Sequence, residues 1–594
     1  MSEAEADSTE QTGEMSDGLQ VELFHPESDR SVGDTNKLLL GGRFDIHPVV
    51  FPGAIALIAV FVAVVFLLGG QAEAAFAGAK SFIESTFGWF YLLAVNVFLI
   101  TILYFAFSKY GSIRIGGVEA EKEFDNLSWM AMLFSAGMGI GLMFFSVSEP
   151  LYYLSNPPAF FGAEAGTAAA GTAALAQTFF HWGLSPWAVY GLVGLGLAFF
   201  SFNRGLPLTF RSVFWPLLGD RIYGWPGHVI DLVSVFATLF GLCTSLGLGV
   251  AQVNTGFSYV GGDMLGLISV PTGTIPQITL IAGITAIATL SVAAGLDGGV
   301  KRLSTINLYI MLTLLGFLLI VGPTLYIAGS FAEGLGAYLN NFLALSFFTG
   351  AVGAGAGATL DGTVSAWTVF YWGWWIAWSP FVGMFIARIS KGRTVREFVL
   401  GVLILPSLFS AVWLSTFGGS AINNSLFGNG QAMAAYNEVG QTVAMFALLE
   451  QFPLGAISGL LATLLVITFF VTSSDSGSLV IDHLTSGGKH DVPKTQRIFW
   501  AITEGVVAAV LLLGGGLTAL QAAAISTGLP FAVILLLMCY TVYLGLDREY
   551  EILESEAFAD RIERMTEEGE VEVDTTGRET VTGVTDGDST TSDD

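Results

Sequence analysis

The chain has 594 residues, 53% of them hydrophobic and only 12% charged, with a mean hydropathy of +0.67. A soluble protein of this length carries roughly a quarter charged residues, so the composition points to a polytopic membrane protein. The 49 acidic residues against 23 basic ones give a net charge of −26, which excludes a nucleic-acid partner and a tail that docks on anionic lipid.

The first residues, SEAEADSTEQTGEMSDG, are acidic and polar, unlike a cleavable signal peptide, which opens with a basic stretch and an apolar run. Apolar runs of about 20 residues or more then predict about twelve membrane helices. They fall near 49–68, 86–107, 127–149, 178–201, 229–260, 275–294, 303–328, 364–389, 396–418, 453–475, 496–514 and 524–545. The ends, 1–36 and 549–594, read as solvated and disordered, with helix allowed over 547–570. Such an acid-rich, lysine-poor exterior suits a salt-rich cytoplasm. The two cysteines, Cys243 and Cys539, sit in apolar runs and offer neither a disulfide framework nor a metal site.

Basic residues sort by loop. Lys109, Arg114 and Lys122 follow the second helix, and Arg204, Arg211 and Arg221 the fourth. Lys301 and Arg302 follow the sixth, Arg388 to Arg396 straddle the eighth and ninth, and Lys489, Lys494 and Arg497 follow the tenth. The alternate loops (150–177, 261–274, 329–363, 419–452, 515–523) hold no Lys or Arg, and Lys80 is the one basic residue placed outside. The positive-inside rule therefore puts both termini in the cytoplasm of a multi-pass protein of the cell membrane.

Along the chain, the third helix carries FSAGMGIGLMFF, where Gly137, Gly139 and Gly141 alternate with Met138 and Ile140. Each glycine costs about 1 kcal/mol in a helix interior, so the run signals local unwinding or very close helix packing. The fourth helix carries HWGLSPWAVY; Trp187 and Tyr190 share a face, with Trp182 about a turn and a half outward. His181 and His228 lie near membrane boundaries, where structural hydrogen bonds are expected of them. The eighth helix carries YWGWWIAWSP, with a Ser379-Pro380 interruption. Trp374 and Trp375 lie roughly 15 Å below its outer end, which is the bilayer midplane and not an interfacial belt. Plain core packing is the alternative for these rings.

The tenth helix closes on TFFVTSSDSGS, where Thr472, Ser473, Ser474 and Ser476 offer hydroxyls and Phe469 a carbonyl: a sodium site or a simple helix cap. Glu504 in the eleventh is either a proton carrier or a bundle-facing structural residue. The glycine and tryptophan segments are five helices apart and so cross in opposite directions. That spacing agrees with an inverted five-helix repeat, in which interrupted helices flank a midplane substrate site. The predicted layout is an acidic tail (1–44), two peripheral helices (45–126), a first repeat (127–328), an extracellular connection (329–363), a second repeat (364–546) and a second tail (547–594). No Asp or Glu lies at mid-depth on the third, fourth or eighth helix. A box of rings without a carboxylate suits a trimethylammonium group. A zwitterion's carboxylate would then meet the amides of the unwound glycine segment.

AGMGIGLMFF…SEP (136–150), HWGLSPWAVY (181–190) and WGWWIAWSPFVGMFIARISKGRTVREF (372–398) together resemble the betaine/carnitine/choline transporter family over about 45–545. The resemblance implies a trimer of twelve-helix protomers with the LeuT-like inverted-repeat fold and alternating access. It implies an aromatic box of Trp182, Trp187, Tyr190 and Trp375, with Trp378 further along the path and Met138 beside the substrate. Gly137, Gly139 and Trp374 complete the candidate substrate site. One sodium would sit among the carbonyls of Ser135 and Met138 with Phe469, Thr472 and Ser473; a second would lie near Thr238 and Phe381.

The all-glycine Gly-Met-Gly-Ile-Gly resembles the sodium-coupled glycine betaine branch, whereas choline and proton-coupled members tend to have Asp where this chain has Gly139. Leu242 stands where a second-site threonine is expected, and the acidic C-terminal tail differs from the basic tail of the osmosensing member. The expectation is a sodium-coupled importer of glycine betaine for osmoprotection, with no cofactor beyond the coupling ion. Choline or carnitine transport and a tail-regulated osmosensor are the alternatives. An enzyme is disfavoured, since no metal-ligand cluster or nucleophile–base pair appears.

Overall fold

A computed structural model describes residues 32–137, 139–267, 270–294, 301–352, 361–489, 491–555 and 558–559. It opens with a hairpin of β1 (Lys37–Leu39) and β2 (Phe44–Ile46), paired antiparallel with Lys37 opposite Ile46. The tight turn between them needs positive φ at Leu40, Gly41 and Gly42, where two of the three residues lack a Cβ. The described remainder is nearly all helical.

The longer helices are α1 (Val50–Leu68), α2 (Ala72–Phe107), α3 (Asn126–Gly137), α4 (Ile140–Ser155), α5 (Ala168–Trp182), α6 (Leu184–Ala198) and α7 (Trp225–Gly256). They continue as α8 (Thr274–Ala294), α9 (Lys301–Val321), α10 (Thr324–Phe347), α11 (Phe370–Arg388), α12 (Val395–Phe427), α13 (Gly455–Thr485) and α14 (Lys494–Leu553). Thr167 and Thr394 cap α5 and α12, accepting from the amides of Ala170 and Glu397. Among the described residues, eight helical stretches are long and apolar enough to cross a membrane.

Several predicted boundaries move. The second helix begins at Ala72 and not near 86, with only Gly69–Gln71 separating it from α1. The seventh ends at Val321, where Gly322-Pro323 breaks it, and the expected connection from 329 instead forms α10. The tenth does not close at its Ser/Thr run; α13 continues through it to Thr485. The eleventh and twelfth meet inside α14 at a kink over Gly515 and Gly516, where Gly516 (φ 59°) adopts an angle that other residues rarely take. The Ser379-Pro380 interruption is also overturned, because α11 runs unbroken to Arg388. Pro380 has no N–H to give the Ile376 carbonyl, and the Ser379 hydroxyl donates to that carbonyl instead (2.8 Å).

The core sits where α7 packs on α13 and α14, and α11 on α6, α7 and α14. By contrast α1 and α2 expose Leu67, Phe66, Phe82 and Phe107, an apolar exterior that water would not tolerate over so wide a surface.

Candidate functional site

The glycine-rich third helix is broken as its spacing predicts: α3 stops at Gly137 and α4 starts at Ile140. Gly139 is extended, offers no side-chain cap, and has open space where a Cβ would point. The first amides of α4 are thus left for another acceptor. Gly141 serves differently: a Cβ there would come within 2.6 Å of Trp374 Cη2 and 2.9 Å of Trp182 Cη2. Met138 lies outside the described residues, and Ser135 and Gly137 are placed only as members of α3.

A second break, absent from the sequence reading, divides the fourth helix at Gly183. Trp182 ends α5 and Leu184 begins α6. A Cβ at Gly183 would sit 2.5 Å from the Phe179 carbonyl oxygen. The break brings Trp182 alongside Trp187 and Tyr190 in one wall, a placement that a continuous helix would not give.

Six predicted rings converge. Trp182, Trp187, Tyr190, Trp374, Trp375 and Trp378 line one cavity of about 50 Å³ together with Gly139, Ile140 and Gly141. Trp374 and Trp375 stack with centroids 4.7 Å apart; Trp182 meets Trp375 edge-on at 4.9 Å, and Tyr190 meets it edge-on at 6.2 Å. All but Trp378 are buried. Such mutually perpendicular faces present electron density from several sides, which is how rings attract a poorly hydrated cation.

What orients the rings was missed. The Trp182 indole N–H (3.0 Å) and the Tyr371 hydroxyl (2.6 Å) both donate to Glu149 Oε2, while His181 Nδ1 lies 2.6 Å from Glu149 Oε1. The Trp375 indole N–H donates to the His181 carbonyl (3.0 Å), and Trp374 donates to Ser245 Oγ (3.2 Å). Glu149 was visible only as the middle of SEP, ten residues beyond the break, and helical rise alone places it outside the site. His181 has its expected structural bonds, yet fully buried and at the heart of this network.

A second cavity of about 150 Å³ shares Gly139, Trp378 and Val382 with the first. Phe381, Phe469, Thr472 and Ser473 line it. The Thr472 hydroxyl donates to the Thr468 carbonyl (3.0 Å) and accepts from Asn307 Nδ2 (3.2 Å). Since α13 is continuous here, these hydroxyls are not a helix cap. The polar part of this otherwise apolar lining is Ser304, Asn307, Thr472, Ser473 and Ser476, and Asn307 is a lining group that the sequence did not mark. Thr238 lines neither cavity described; its hydroxyl donates to Ser234 (2.7 Å). Leu242, one turn on, packs so closely on α13 that a Cβ at Gly477 would lie 2.3 Å from its methyl. Glu504 lines neither of these two cavities and accepts from Ser474 Oγ at 2.9 Å.

The sequence model of the betaine/carnitine/choline family transporters (BCCT) matches residues 49–551. A glycine betaine/proline/choline transporter of Vibrio parahaemolyticus is 45% identical over 538 residues, 88% of this chain and 94% of the relative. Glycine betaine transporter 1 of the same organism is 46% identical over 529 residues, covering 88% and 97%. A glycine betaine transporter of Acinetobacter baylyi is 41% identical over 496 residues, covering 84% and 73%. With its apolar helices, the chain is a multi-pass membrane transporter and not an enzyme. The breaks, the ring-lined cavity and these matches agree, and the chain belongs to the betaine/carnitine/choline transporter family.

Proposed function

We propose that this protein imports glycine betaine as a compatible solute, coupled to sodium by alternating access. The observation that carries the reading is the cavity in which six aromatic side chains meet the broken third helix at Gly139. The trimethylammonium group rests against Trp182, Trp187, Tyr190 and Trp375, and the carboxylate takes the free amides that open α4. Sodium is held at Thr472 and Ser473 with the Phe469 carbonyl and the carbonyls of Ser135 and Met138. The neighbouring cavity, with Trp378 and Gly139 on the shared wall, supports communication between the two ligands. A second ion near Thr238 and Phe381 is disfavoured by Leu242.

The protomer is read as twelve helices with an inverted five-helix repeat, both termini cytoplasmic, assembled as a homotrimer in the cell membrane. On that orientation the larger cavity opens toward the cytoplasm, since its lining lies toward the Lys301 end of α9 and the Arg388 end of α11. The acidic exterior fits a salt-adapted host.

Proteoliposomes given labelled glycine betaine or choline in the external medium, with and without an inward sodium gradient, test this. Sodium-dependent accumulation of betaine well above choline is expected. Choline preferred over betaine supports the alternative substrate, and gradient-independent uptake overturns sodium coupling.

A further inference from the structure

Glu149 is fully buried, and three donors converge on its two oxygens: the indole N–H of Trp182, the hydroxyl of Tyr371 and Nδ1–H of His181. That is the partner set of an acceptor-only group, a carboxylate. On the far side of the ring, His181 Nε2 lies 3.1 Å from Gln177 Nε2 and 2.9 Å from the Thr368 hydroxyl. Among the described residues no lysine or arginine pairs with Glu149.

A buried carboxylate is costly unless something compensates it. Here the compensation is aimed: the hydrogen bond to Glu149 leaves the Trp182 ring, which lines the cavity, between the negative charge and the chamber. A donor N–H bonded to an anion pushes electron density back into the indole, strengthening its attraction for a cation on its face. We propose that Glu149 is a specificity-determining residue: it is the counter-charge for the substrate's ammonium group, acting through the Trp182 ring from outside the chamber. The inference rests on the aromatic-cavity reading above, and it explains how a chamber without a carboxylate in its lining still selects positive charge.

Two ligands of one shape separate charge from fit: glycine betaine and 3,3-dimethylbutanoate, in which carbon replaces the ammonium nitrogen while the carboxylate is kept. Binding of each is measured on the purified full chain in detergent. In Glu149→Gln, betaine affinity is expected to fall about tenfold with dimethylbutanoate unchanged, while Glu149→Asp retains most of the discrimination. Equal weakening of both ligands, or no change in either, overturns the proposal, because a carboxylate that only props the rings affects both alike. If Glu149→Gln does not fold, Tyr371→Phe is measured: removing one donor leaves more of the charge to the chamber, so the betaine preference rises several-fold. An unchanged preference overturns the proposal. Trp375→Leu serves as the control: full betaine affinity there defeats the cavity reading itself, whereas loss there with intact discrimination in Glu149→Gln defeats only the role of Glu149.

Discussion

A methyl group at residue 141 would meet Trp374 Cη2 at 2.6 Å and Trp182 Cη2 at 2.9 Å, whereas one at residue 139 would meet nothing within 4 Å. Gly141→Ala is therefore expected to force both indoles apart and weaken betaine binding at least about tenfold, a loss typical of overpacking. Gly139→Ala, whose extended backbone any residue adopts, is expected to fold normally and to affect binding only through the space it fills. Titration of the two variants side by side, with Tm as the folding check, tests the contrast; equal affinities would remove the ring-packing account. Trp375 is the other single position of weight, touching Trp374, Trp182 and Tyr190 at once. Trp375→Leu is expected to keep the fold and lose about 2 kcal/mol of cation–π attraction, some thirtyfold in affinity. Retention of parental affinity in isothermal titration would assign the ring to core packing.

Three helices meet at the site, and each solves a backbone problem in its own way. The third breaks at Gly139 and the fourth at Gly183, while α11 stays whole because Ser379 supplies the hydrogen bond that Pro380 cannot. Pro380→Ala is accordingly expected to leave uptake within about twofold and stability equal or slightly higher, since an alanine costs nothing in a continuous helix. Gly183→Ala should destabilise by about 1–3 kcal/mol, because the Phe179 carbonyl 2.5 Å from the new methyl belongs to the backbone and cannot swing aside. Thermal unfolding of both in one detergent decides between these expectations; a severe loss in Pro380→Ala would restore the interruption.

On α13 the hydroxyls of Thr472 and Ser473 line the larger cavity of an unbroken helix. Thr472→Ala with Ser473→Ala is expected to raise the sodium needed for half-maximal betaine binding at least tenfold. By reciprocity it also lowers apparent betaine affinity at fixed sodium. Coincident sodium curves for parent and double variant would place the ion elsewhere.

Across the whole molecule, the N-terminal hairpin fastens distant elements. Asp45 pairs with Lys489 (2.6 Å), its amide donates to Gln496 (2.8 Å), and the His47 amide donates to the Thr485 carbonyl (2.9 Å). His47 Nδ1 also accepts from the Val50 amide (3.2 Å), capping α1. Burial, then the Arg211 guanidinium and His228 beside it, push the His47 imidazole from the usual 6.5 down to about 3. Below pH 6.5 the unfolded chain takes up a proton that the folded ring refuses until about 3. The contribution of His47 is therefore complete above 6.5 and is lost as pH falls through that window. The hydrogen-exchange protection factor at the start of α1, taken relative to the intrinsic rate at each pH, should fall between pH 6.5 and 4 in the parent, and His47→Asn should flatten the dependence. A flat parent profile would show that the latch does not depend on this ring.

Periodicity, glycine spacing and the distribution of Lys and Arg were enough to read a polytopic helical transporter, and to pick six rings that share one cavity, because those signals are local or follow from the bilayer's thickness. The family was equally legible in YWGWWIAWSP and its neighbours. Sequence could not show that Gly183 breaks the fourth helix or that α11 absorbs its proline, since glycine and proline are each found both in broken and in continuous helices and the packing around them decides. Nor could it find Glu149. Counted along its own helix, that residue lies well beyond the break; only the convergence of α4, α5 and α11 folds its carboxylate behind Trp182 and Tyr371. Of the stretches that build the site, α5 with α6 is among those long and apolar enough to span by themselves, whereas among the described residues α3, α4 and α11 are not. They are wrapped by protein instead of lipid, so burial, and not hydropathy, decides where they run.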